Sequence, residues 1–155
     1  MANEINKLVL LTSGRRIEEE DVRRLVSYAQ ETNVFAMVDA ILEFNPGLAV
    51  KLLQQLLREG AAAAYLLFMV ARQVQMIVLT KGLRSGGAAE AEIQDKLGLS
   101  ELALRKTIDQ ADRYPLPRVK EVYHKLLEAD LAIKTGRYEG ELALDILIAD
   151  LGQQL

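Results

Sequence analysis

The sequence predicts an all-α fold, a helical bundle of about eight helices. Three observations carry this. The 155 residues include 27 Leu and 19 Ala, and half the chain is hydrophobic although aromatics are 5% and Trp is absent, which is the composition of helix formers. Apolar positions recur at helical spacing between Gly, Pro and Asn breakers. No stretch alternates apolar and polar residues between hairpin-turn signals.

The elements follow in order. Asn3 to Thr12 is short and apolar on one side, and Ser13-Gly14 stops it. Ile17 to Gln30 places Val22, Leu25, Val26 and Ala29 on one face, with Glu18, Glu19, Glu20 and Asp21 in the first turn, where the helix dipole favours negative charge. Asn33 can cap a helix from Val34 to Phe44. Asn45-Pro46 opens another that ends at Gly60, with proline at the first helical position and glycine just past the end. Ala61 to Lys81 is nearly apolar all round until Arg72, so other helices must surround it. Its longest apolar run, Ala61 to Ala71, is shorter than the roughly 20 residues of a membrane span.

Gly82 to Gly87 reads as a flexible connector to Ala88–Leu97. Gly98-Leu99-Ser100 then makes a tight turn whose serine caps Glu101 to Tyr114, and Pro115-Leu116-Pro117 stops that helix. Pro117 to Thr135 is the last long helix, Gly136 ends it, and Glu139 to Leu151 closes the series.

Charge and composition exclude several function classes. Nineteen basic and 22 acidic residues, interspersed, give a net charge of −3, with neither a polybasic arm nor an acidic tail. Without cysteine there is no disulfide, thiol nucleophile or cysteine-ligated zinc, and a cytoplasmic setting is the default. The N-terminus lacks a secretory signal pattern. His124 is the sole histidine and has no companion to complete a metal or catalytic site, so it reads as a bystander. Lys106-Thr107 and Lys134-Thr135 do not follow the glycines that a phosphate loop requires. No cofactor is expected.

Two local features invite function. Glu92 to Ser100 followed by Glu101 to Tyr114 has the grammar of a helix-turn-helix, although the second helix balances Arg105, Lys106 and Arg113 against Glu101, Asp109 and Asp112, whereas a groove reader faces phosphate with positive charge. Asp130 lies on or near the apolar stripe that holds Leu126 and Leu127, and Arg72 is its natural complement. An Arg72–Asp130 ion pair is therefore expected, the alternative being that both side chains reach solvent.

Several quoted runs together resemble a known family. Ala71-Arg72-Gln73, Lys81, Glu92-Ile93, Leu97-Gly98-Leu99, Gln110-Ala111 and the run Leu126 to Gly136 are similar, in order and spacing, to the C-terminal half of the bacterial DNA polymerase III delta subunit, a clamp-loader component. Asn3 to Leu11, Ile17 to Val22, and Asn33-Val34-Phe35 through Val38-Asp39-Ala40 resemble the end of that family's lid domain and the entry to its collar. The chain departs from the family at Ser100 to Leu104, where an aromatic often preceded by His-Pro is usual, and at Gln94, where alanine is usual.

The resemblance implies lid-domain helices over 1–30 and an oligomerising collar over 31–155, with an AAA+-like domain preceding this stretch in the whole protein. It further implies partners: the gamma/tau and delta-prime subunits, the sliding clamp only through that N-terminal domain, and DNA only through the complex, with no membrane. The part seen here would be non-catalytic. Candidate interface residues are Leu142, Ile146 and Leu151 in the apolar arc that also holds Leu144, Leu147 and Ile148, with Arg137 and Tyr138 at its rim. The alternatives are internal core for that arc, and for the chain a helix-turn-helix DNA binder or an unrelated helical adaptor.

Overall fold

The computed structural model describes residues 18–152, without the side chains of 26–28, 151 and 152. The expected helix at Asn3–Thr12 and the side chain of Leu151 lie outside the described residues. Two compact units divide between Asn33 and Val34. Among the described residues there are seven helices and no strand: α1 (Glu19–Leu42), α2 (Pro46–Arg58), α3 (Ala63–Ser85), α4 (Glu90–Leu97), α5 (Glu101–Arg113), α6 (Leu116–Lys134) and α7 (Gly140–Gly152).

Within the first unit the acidic run opens α1. Glu18 donates its backbone N–H to Asp21 at 2.9 Å, the reciprocal half of a capping box, while Glu19 and Glu20 pair with Arg23 and Arg24 one turn on, at 2.7 and 2.8 Å. Asp21 is buried, and the three glutamates are exposed.

Asn33 does not start a new helix, because α1 runs unbroken from Glu19 to Leu42. No proline or glycine intervenes before Pro46, and an interior asparagine costs well under about 1 kcal/mol, which the burial of Val34, Met37, Val38 and Ile41 on one face offsets. The glycine-rich connector likewise begins later than the sequence suggests, since α3 continues through Gly82 to Ser85. Two bonds hold those last turns to α5: Lys81 Nζ donates to the Ala111 carbonyl at 2.6 Å, and Arg84 pairs with Asp112 at 2.6 Å.

In the second unit α3 is the axis. It packs against α4, α5, α6 and α7, while α7 also packs on α2 and α6. Leu66, Leu67, Val70, Val74 and Ile77 of α3 meet Leu53 and Leu56 of α2 and Val119, Val122 and Leu126 of α6 in one hydrophobic core. By length and apolarity α3 could cross a membrane, contrary to the reading of its eleven-residue apolar run, yet this face of it is core. The remaining predicted turns hold: Asn45 accepts from Leu48 N–H at 3.2 Å, Ser100 accepts from Ala103 N–H at 3.2 Å, and Gly98 takes the left-handed conformation between α4 and α5.

Two polar features pin the C-terminal half of α1 into the second unit. The first is a buried chain: Gln73 Nε2 donates to Thr107 Oγ1 (3.0 Å) and Gln110 Oε1 (2.8 Å), and Gln110 Nε2 donates to Asp39 (2.9 Å) and the Phe35 carbonyl (3.3 Å). Tyr114 extends it, its hydroxyl lying 3.0 Å from Asp39 and 2.9 Å from Glu43. The second is Arg118, only 8% exposed, which donates to the terminal carbonyls of Ile41 (2.9 Å) and Leu42 (3.3 Å). Its guanidinium lies 3.2 Å from the Phe44 ring centroid, and its outer edge reaches Glu121 at 3.3 Å.

Phe44 itself has φ +58°, a left-handed conformation that costs a non-glycine residue about 1 kcal/mol or more. The strain closes α1, because Phe44 N–H then bonds Ile41 O at 3.3 Å and Asn45 N–H bonds Ala40 O at 2.8 Å.

Arg118→Met keeps the side chain's bulk and deletes every donor, leaving two carbonyls unpaired; a loss of about 2–4 kcal/mol is expected in urea unfolding, and a loss below about 0.5 kcal/mol would show the cap to be dispensable. Tyr114 gives a pH prediction. Burial raises its phenol pKa above the ordinary value of about 10, and the neighbouring Asp39 and Glu43 raise it further, against a lowering by Arg113. The folded state thus holds its proton where the unfolded chain releases it, so this contribution to stability is intact below about pH 10 and shrinks above it. Tyr114→Phe should flatten the alkaline fall in unfolding free energy; an unchanged slope would remove Tyr114 as its source.

Candidate functional site

Geometry converges on the turn between α6 and α7. The end of α6 is set by Gly136, whose φ of +72° lets Arg137 N–H reach the Ala132 carbonyl at 2.9 Å and its own N–H reach Ile133 O at 3.0 Å. This closure turns the chain back, so that α7 lies against α6 and a cleft of about 210 Å³ opens between them. Arg137, Tyr138 and Ile146 all line it, together with Lys125, Glu128 and Asp150. Three of the interface candidates are thereby brought together from a loop and a helix. Leu142, one turn before Ile146, is 49% exposed.

The apolar arc of α7 is divided. Ala143, Leu144, Leu147 and Ile148 are buried, and Ile148 lines a small cavity with Ala40, Ile41 and Phe44 where α1 turns into α2. Leu142 and Ile146 are left toward the outside and the cleft. The inner half of the arc is therefore core, because a helix packed between α2, α3 and α6 must bury one full side.

The Arg72–Asp130 pair is not formed. Asp130 binds Lys134, one turn later, at 2.7 Å, and Arg72 is exposed. The lysine at i+4 reaches the carboxylate at the surface, where neither charge needs a buried complement. His124 is exposed, and among the described residues no group of three His, Asp or Glu side chains could hold a metal ion.

The helix-turn-helix corner is built as read, α4 and α5 meeting at Gly98, but its second helix faces inward with Ala103, Thr107, Gln110 and Ala111. Outward it carries Glu101, Asp109 and Asp112 against Arg105 and Arg113, and Asp109 and Asp112 already hold Arg113 and Arg84. That surface offers phosphates no net positive charge.

Periodicity alone did not find the other exposed apolar residues. Leu127 and Leu131 stand on the outside of α6, and Tyr65 and Phe68 on the outside of α3, Leu131 and Phe68 each 62% exposed. Arg118 was missed as well, although a signal existed: an arginine in a helix's first turn opposes the dipole, and a cation there implies a partner worth more than that repulsion.

Comparison with known proteins fits this architecture. Residues 31–151 match the family described as DNA polymerase III delta subunit, C-terminal domain. The chain belongs to this family. A delta subunit of DNA polymerase III from Bacillus subtilis (strain 168) is 23% identical over 149 residues, covering 96% of this chain and 43% of the relative. A solved structure, the Bacillus subtilis DNA clamp loader delta protein, shares the fold with a TM-score of 0.75 at 23% identity, over 98% of this chain and 45% of that one. The chain thus spans less than half the length of the relatives it matches. Gln73, Lys81, Gln110, Ala111 and Asp39, among the positions that carry the resemblance to the delta C-terminal family, are bonded to one another or to their neighbours in the buried network and at its edge.

The placement of α7 depends on Gly140, where an added Cβ would stand 2.9 Å from Ala63 Cβ at the start of α3. An alanine Cβ cannot swing aside, so Gly140→Ala should push α7 away and cost about 1–3 kcal/mol by thermal or urea unfolding. A neutral result would mean that α7 adjusts freely.

Proposed function

We propose that this chain is the non-catalytic collar of a clamp-loader delta subunit, a helical scaffold that assembles with gamma/tau and delta-prime subunits in the cytoplasm so that the complex can load the sliding clamp in DNA replication. On this reading residues 1–30 close a lid domain, residues 31–155 form the collar, and contact with the clamp belongs to a part of the protein outside this chain. The family match over residues 31–151 is the observation that carries it. The exposed apolar residues of the second unit add support, since side chains such as Leu131, Leu142 and Phe68 held outward are what a subunit contact would cover.

Arg137, Tyr138, Leu142, Ile146 and Leu151 are the docking residues we assign. Tyr138 and Arg137 stack, the guanidinium 5.4 Å from the ring centroid, at the edge of the cleft into which Ile146 faces. An aromatic and an arginine beside a cleft of mixed charge that has Ile146 and Leu147 among its lining residues match the composition of interface anchors.

Light scattering on a sizing column tests the assembly. This chain mixed with gamma/tau and delta-prime subunits of the same organism should elute as a joint peak heavier than any component, and Leu142→Asp with Ile146→Asp should abolish that peak while the helical circular dichroism stays unchanged. Separate elution of all components at micromolar concentration would count against the assignment.

A further inference from the structure

A second cavity, of about 490 Å³, lies where the last turns of α3, the end of α5 and the first turns of α6 come together. Its charge is opposite to that of the molecule: Lys81, Arg84 and Lys120 line it against the single carboxylate Asp112, in a chain of net charge −3. We propose that it is a phosphate-ester binding site, independent of the collar assignment.

The donor set supports this. Lys81 and Arg84, three residues apart, share one flank of α3, and each is fixed by one bond to α5, to the Ala111 carbonyl and to Asp112, both at 2.6 Å. Those bonds orient the two cations and leave their other N–H groups unused. Lys120 approaches from α6; it is exposed and forms no ion pair among the described residues. The Ser85 hydroxyl adds a neutral donor, and Leu116, the first residue of α6, brings the positive end of that helix dipole to the cavity.

Helix-to-helix tethering accounts for Lys81 and Arg84, but not for Lys120 or for the room between them. The guanidinium fork can pair with either a carboxylate or a phosphate, but two ammonium groups beside it give three cations from two helices, which the several dispersed oxygens of a phosphate can engage at once and the two oxygens of a carboxylate cannot. The volume exceeds what an inorganic anion needs, and Val78, Ala111 and Leu116 supply apolar wall on which the organic part of an ester can lie. A free nucleotide and a nucleic-acid strand present this same chemistry.

The test is amide NMR of the full chain titrated with inorganic phosphate, thymidine 5′-monophosphate and a short oligothymidylate. Shifts should centre on Gly82, Ser85, Asp112 and Lys120. Lys120→Glu and, separately, Arg84→Gln should each weaken the nucleotide probes at least about tenfold without changing the melting temperature by more than a degree or two, while Lys51→Glu, outside the cavity, should leave binding unchanged. Loss of one phosphate contact in Lys120→Glu should reduce the slope of log K against log salt for the oligothymidylate by about 0.7. Oligonucleotide binding tenfold tighter than the monophosphate identifies a nucleic-acid strand as the ligand, and equal affinities identify a free nucleotide; both support the site. The proposal is overturned if no probe shifts these amides at tens of millimolar, if Lys51→Glu weakens binding as much as Lys120→Glu, or if an oligoglutamate binds as tightly as the oligothymidylate.

Discussion

The second unit depends on how the C-terminal end of α1 is closed. A helix leaves its last carbonyls without partners, and at Ile41 and Leu42 those carbonyls are buried, so a donor must come from elsewhere in the fold. Arg118 supplies it from 76 and 77 residues away in sequence. The same guanidinium covers Phe44, whose left-handed backbone bends the chain into Asn45-Pro46 and so aims α2. A buried cation is costly unless every face of it is engaged; here two carbonyls, a carboxylate and an aromatic ring engage it.

The buried glutamines continue the same logic one layer inward. Gln110 joins α1 to α3 and α5 with both its amide protons and its carbonyl in use, which makes the network specific: another amphipathic helix could fill the volume of α5, but not satisfy Gln73, Phe35 and Asp39 together. Leu and Ala packing supplies most of the burial, and Leu is adaptable in its neighbours; the polar contacts choose among the packings that such a core permits. This accounts for Gln73, Thr107 and Gln110 being polar and buried with no chemistry assigned to them.

The cleft between α6 and α7 and the cationic cavity at the α3–α6 junction lie on separate surfaces, the first mixed in charge with an apolar edge, the second cationic. Each is formed by residues from different helices, so each exists only once the helices have docked. Neither uses His124, and the helix-turn-helix enters only through the last turn of its second helix, where Ala111 and Asp112 line the cationic cavity.

Helical class, most helix boundaries and the Asn45 and Ser100 caps were legible in the sequence, because each is decided by neighbours within four residues or by apolar period. The family was legible too, through runs of residues whose order survives without any knowledge of their contacts. The failures were of two kinds. Asn33 and Gly82 looked like breakers, yet their intrinsic cost is small and tertiary burial and tethers to α5 outweigh it. Asp130 looked as though it needed Arg72, yet the lysine four residues on was closer. Tertiary structure alone decided which half of the α7 arc is core, that Arg118 is a cap, and that Lys81, Arg84 and Lys120 face one cavity, since these depend on residues brought together from helices dozens of positions apart, a distance over which sequence periodicity carries no information.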